Sequence, residues 1–241
     1  MSKLSLRFVI HVVLLGFTLQ ACNKDDSGSN NTSTPGYLNP SLTYGSVTDI
    51  DDNRYATIVI GTQEWMAQNL RTSRYANGDT ISNVTDNAAW TVQTEGAWAH
   101  YENRSSNNTP FGKLYNGYTV IDTRNVCPTG WHVPTVADWT LLIDYLGGDA
   151  VVGDKLKATG TAYWLAPNTY ATNESGFSAL PGGFRTDYDA TFNALDTLGN
   201  WWSATDDGGG GLMDYVINTG SGINSFGDAK SFGCSVRCVR D

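Results

Sequence analysis

The chain is short of the side chains that carry most catalysis. It has three histidines in 241 residues. His11 lies in the N-terminal apolar run, and neither His100 nor His132 has a second histidine at metal-ligand spacing. No Gly-x-Ser-x-Gly, phosphate loop or dinucleotide fingerprint occurs, which removes the common hydrolase, NTPase and dehydrogenase readings. Basic charge is also scarce, with 15 Lys and Arg against 24 Asp and Glu and a net charge of −9. No Lys/Arg cluster offsets it, so the chain repels phosphates and nucleic acid is excluded as a partner. What the sequence does have is 26 Gly, 8 Trp and 12 Tyr within a 40% hydrophobic composition. That is enough apolar surface for a sizeable core, and the frequent Gly, Asn, Asp and Thr favour short strands joined by long loops.

The N-terminus reads as a secretion signal. Lys3 and Arg7 precede an apolar run from Phe8 to Leu19 that is too short for a comfortable membrane span. It closes on Leu19-Gln20-Ala21-Cys22, which resembles a bacterial lipobox and implies cleavage after residue 21 with diacylation of Cys22. Asn23-Lys24-Asp25-Asp26 is similar to the signal that sends lipoproteins of the Bacteroidetes lineage to the outer face of the outer membrane. Residues 22–46, poor in apolar side chains, are expected to form a tether. The folded domain is expected over 47–241.

Along that domain, Arg54–Gly61 and Glu64–Leu70 read as a hairpin, and Gly96–Tyr101 as a strand. Asp86–Gln93 reads as a short helix, and a further helix is expected over Phe111–Ile121. Cys127-Pro-Thr-Gly-Trp-His-Val-Pro134 then leads to Thr135, an N-cap with Asp138 in capping-box position. Val136, Trp139, Leu142, Ile143 and Leu146 form an apolar helical stripe stopped by Gly147-Gly148. A shorter helix is expected over Asp149–Ala158. After Gly176 the pattern turns to β, with strands over Asn200–Thr205, Met213–Ile217 and Cys234–Asp241. Cys234 and Cys238 lie roughly 13 Å apart on an extended strand, beyond the reach of a disulfide. If a bridge forms, one of them meets Cys127.

These blocks together resemble the Fibrobacter succinogenes major paralogous domain. The match runs through Gly61-x-Gln63-x-Trp65-Met66-Ala67-x-Asn69-Leu70, Leu114-Tyr115-Asn116 and Cys127-Pro-x-Gly-Trp131-His-Val-Pro134. It continues through Lys155-Leu-Lys157, Gly176-Phe-Ser-Ala-Leu-Pro-Gly-Gly-Phe-Arg185, Trp202-Ser-Ala-Thr205 and Ser235-Val-Arg-Cys-Val-Arg240. Every block falls in family order between residues 47 and 241. Gly117 departs from the pattern, since relatives usually carry tryptophan there. The resemblance implies an α+β, C-type-lectin-like domain with two main helices, short twisted antiparallel sheets and long ligand-bearing loops. It also implies a Cys127–Cys238 disulfide that leaves Cys234 unpaired, and structural roles for Arg185 and Arg237. His132 is read as a structural hydrogen-bonding residue.

The calcium-chelating triplets Glu-Pro-Asn, Gln-Pro-Asp and Trp-Asn-Asp of sugar-binding C-type lectins are absent. Asp187, Asp189, Asp206 and Asp207 are weak calcium candidates, and no cofactor is expected. The family pattern sends Trp202 to the core, which leaves Tyr188 and Trp201 as ligand-contact candidates beside Asp187, Asp206 and Asp214. The expectation is a non-catalytic binding domain for a glycan or protein, anchored by acylated Cys22 to outer-membrane lipid and facing the cell exterior. The alternatives are a structural subunit of a surface assembly and a catalyst of the formylglycine-generating type using Cys234.

Overall fold

The computed structural model describes residues 35–241. The expected leader, Cys22 and the first part of the expected tether lie outside them. In chain order the strands are β1 (Gly45–Thr48), β2 (Arg54–Ile60), β3 (Gln63–Met66), β4 (Ser82–Asn83), β5 (Ala97–Ala99), β6 (Leu114–Asn116) and β7 (Trp131–His132). They continue as β8 (Gly182–Arg185), β9 (Phe192–Leu195), β10 (Gly199–Asp206), β11 (Leu212–Ile217), β12 (Ile223–Asp228), β13 (Gly233–Cys234) and β14 (Val239–Arg240). The helices are α1 (Asn87–Thr91), α2 (Asn108–Phe111), α3 (Gly117–Val120), α4 (Val136–Tyr145) and α5 (Val152–Leu156).

One sheet has five strands in the order β1-β2-β3-β14-β7. The other has nine, in the order β12-β11-β10-β8-β13-β6-β5-β4, with β9 paired to β8. Of the described residues, 16% are helical and 30% lie in strands. The expected α+β, C-type-lectin-like domain with two main helices therefore gives way to a mostly β architecture. Only α4 reaches ten residues; the other helices have four or five.

The α4 segment forms as its sequence dictates. The Thr135 side chain accepts from the Asp138 amide while the Asp138 carboxylate accepts from the Thr135 amide, a complete capping box. Trp139, Leu142, Ile143 and Leu146 of its apolar stripe are buried and Val136 is half-buried, and Trp139 stacks on Tyr215 of β11 with ring centroids 4.7 Å apart. The helix expected over Phe111–Ile121 is instead β6 followed by the single turn of α3. Leu114, Tyr115 and Asn116 are buried between β5 and β13, where a strand pairs on both sides. Asn116 ends the strand by accepting from the Thr119 amide at 3.0 Å, capping α3.

Residues assigned to the tether also join the domain. Tyr37 and Leu38 are buried, and the Tyr37 hydroxyl accepts from Gln68 at 2.7 Å. The expected single terminal strand is broken in two. β13 pairs in the nine-stranded sheet and β14 in the five-stranded one, while the chain between them crosses the core with every residue buried. Cys127 and Cys238 are disulfide-bonded there, with Cα atoms 5.9 Å apart, and Cys234 is a buried free thiol.

Candidate functional site

The residues singled out in the sequence do not come together as one surface. Tyr188 is 76% exposed on the loop after β8, but Trp201 is fully buried. The reason is topological: β10 is an interior strand covered on both faces, so its alternating side chains enter two different cores. Trp201 donates to Asn69 Oδ1 at 2.9 Å on one side, and Trp202 donates to the Tyr115 carbonyl at 2.7 Å on the other. Asn69 Oδ1 also receives the buried Arg237 guanidinium at 2.8 Å, which lies over the Phe177 ring. Arg185 is likewise structural. It donates to the carbonyls of Ala190, Val84 and Thr85 and to Asn87 while packed over Trp90 and Phe192.

The loop aspartates spend their oxygens on turns. Asp189 accepts from the Thr191 amide and hydroxyl, Asp206 from the Gly208 amide, and Asp207 from the amides of Gly209 and Gly211. Asp187 is half-buried beside them. Among the described residues, no three His, Cys, Asp or Glu side chains are grouped as metal ligands. His132 joins Asp241, at 2.7 Å from Nδ1, to Asp138 of the α4 cap, at 3.4 Å from Nε2.

Asp214, expected at the surface, is fully buried on β11. Asn200 Nδ2 donates to its Oδ2 at 3.1 Å, and the Cys234 thiol lies 3.9 Å from the same oxygen. Desolvation, reinforced by the neighbouring Asp228, pushes the Asp214 carboxyl up to about 7. Asp228 is raised by its own burial, and Asp187 and Asp207 add to the effect. Cys234 is held well above the ordinary thiol value by burial and by Asp214. A neutral, fully buried thiol is a poor nucleophile.

The open apolar surface lies elsewhere, between the β2–β3 turn and the end of α4. Tyr145 is 66% exposed and Val59 65% exposed. They flank a cleft of about 540 Å³ floored by Leu42, Ile58 and Ile60. The ring of Tyr145 rests on Gly61: a methyl group there would lie 3.0 Å from two ring carbons, and Gly61 holds a φ of 62°. One ring face is thus seated on backbone and the other is open. The rim is polar, with Ser175 and a Lys155–Glu174 ion pair of 3.1 Å. Sequence reading passed over Tyr145 because it sits off the apolar stripe of α4. The sequence offered only that position, an aromatic on the solvent side of an amphipathic helix; its seat on Gly61 exists only in the fold.

No curated protein and no solved structure matches the chain. The model of the Fibrobacter succinogenes major domain matches residues 58–240, from the second half of β2 through the last strand, and so takes in both sheets, the capped helix and the disulfide. The chain belongs to the Fibrobacter succinogenes major domain family.

Proposed function

We propose that this chain is a lipid-anchored surface protein whose domain binds glycan without catalysis, through the Tyr145 cleft. The observation that carries the reading is an aromatic ring fixed on one face, open on the other, and bordered by hydroxyl and charged groups. Sugar rings stack their C–H faces on such platforms and hydrogen-bond their hydroxyls to the rim. Glu174, Lys155 and Ser175 supply acceptors and donors at that rim. The lipobox-like Leu19–Cys22 and the acidic run after it support the anchoring and its outward orientation. Binding at a cleft whose lining does not include the buried Cys234 suits a module that holds a ligand rather than transforms it.

The test is a glycan array probed with the full chain and with Tyr145→Ala. At least one glycan class is expected to bind, with affinity falling tenfold or more in the variant at unchanged melting temperature. Absence of any bound glycan, together with a protein partner that co-purifies in fixed ratio, would sink the proposal in favour of a structural subunit.

A further inference from the structure

β12 is an outer strand of the nine-stranded sheet, and it is the long one among the sheet margins. β4 and β7 have two residues each and β1 has four. β9 has four but is broken by Ala194 at a φ of 63°. β12 has six residues paired to β11 in unbroken register from Ile223↔Ile217 to Asp228↔Leu212. Only Ile223 among them is buried. Away from its ends the strand is not blunted: it contains no proline, no lysine and no bulge.

The direction of its free backbone groups is fixed by one bond. The Ile223 amide donates away from β11, to the Asp149 carbonyl at 3.0 Å. In an antiparallel ladder, residues alternate between pointing their N–H and C=O at the partner strand and pointing them outward. Ser225 and Gly227 share the parity of Ile223, so they present the same outward groups, whereas Asn224, Phe226 and Asp228 bond to β11. The loop at Asp149 already occupies the first position of a missing neighbour strand. The next two positions stand open, and Phe226 beside them is 55% exposed.

Charge selects what can occupy them. Asp228 ends the strand, with Asp187 and Asp207 close enough to act on its carboxyl and Asp206 exposed two strands away on β10, across Leu212 of β11. Lys230, two residues beyond, is half-buried and gives its carbonyl to the Gly117 amide. A second copy of this chain would bring another net −9 to the contact. An extended segment with lysine or arginine near the Asp228 end meets the carboxylates instead.

We infer that β12 is a strand-addition edge: it takes an extended, cationic polypeptide segment as a further strand, hydrogen-bonded to Ser225 and Gly227 and paired by charge with the Asp228 end. This surface is separate from the Tyr145 cleft, so the outcome of the glycan test does not bear on it.

The probe is a fluorescent, end-capped peptide Lys-Thr-Val-Thr-Val-Lys titrated into the full chain. A version with glutamate in place of both lysines and a version of the same charge with proline at its centre serve as comparisons. The cationic extended peptide is expected to bind at least tenfold more tightly than either, with affinity falling as salt rises. Hydrogen exchange is expected to slow at the Ser225 and Gly227 amides on binding. Ser225→Pro removes an outward N–H and leaves the β11 ladder intact, so it is expected to abolish binding. Phe226→Lys places a repelling charge on the edge and is expected to weaken binding tenfold even if the proline variant misfolds. The inference is overturned by binding of the acidic or proline-broken peptide within threefold of the cationic one. It is equally overturned by no binding at millimolar peptide, or by dimerisation of the chain alone with the same amides protected.

Discussion

Asp214 is where one side chain has the largest leverage on the molecule. Its folded pKa stands above the unfolded value, so the stabilisation tied to its protonated form is complete below about pH 4 and is lost as pH rises through about 7. The difference corresponds to roughly 4 kcal/mol at most, by the free energy of a pKa unit. Asp214→Asn is expected to flatten that part of the stability–pH curve, measured by urea unfolding between pH 4 and 8. A variant that keeps the wild-type slope would place the titration elsewhere. This site was hard to read from sequence because Asp214 alternates with Met213 and Tyr215 on a strand that looked one-sided. The choice of face depended on β10 and β12 flanking it, which no local pattern encodes. The same holds for Trp201 and Trp202. Their opposite directions were legible from strand alternation, but the number of cores waiting for them was not.

At the scale of elements, local chemistry and local structure agree best where a motif is self-contained. The α4 helix needs only its own cap and stripe, and both were visible: Thr135, Asp138, and the run from Val136 to Leu146. Thr135→Ala is expected to cost about 1 kcal/mol, read as a lowered unfolding midpoint with an unchanged denaturant slope. The hairpin β2–β3 was legible for the same reason, through β-branched residues on either side of Gly61. The segment Phe111–Ile121 failed as a helix because its fate is set by β5 and β13, which approach from 12 or more residues away in the chain. Tyr145 was likewise invisible as a platform. What makes it one is the missing side chain at Gly61, on an element that the helix meets only in the folded molecule.

For the whole molecule, the disulfide carries the most weight. Cys127 and Cys238 are 111 residues apart. Closing a loop of that size stabilises by about 5 kcal/mol in the chain-entropy model. Replacing both cysteines by alanine is expected to lower the unfolding free energy by that order while the far-ultraviolet spectrum stays native below the new midpoint. A loss under about 1 kcal/mol would mean that the two sheets are held by packing alone. The pairing itself was legible only through family likeness, since strand spacing excluded a Cys234–Cys238 bridge and left both partners of Cys127 open.

The crossing of residues 233–240 between the two sheets has a consequence for how the molecule is made. β13 sits between β6 and β8, and β14 between β3 and β7, so each sheet has a vacancy that only this segment fills. Neither sheet can close while the chain is still emerging, and a growing chain of two hundred residues remains without a finished core. Both sheets are therefore completed only after residues 233–240 have been made. Cys238 lies within that crossing segment, so its insertion between the sheets is also what brings Cys238 to Cys127.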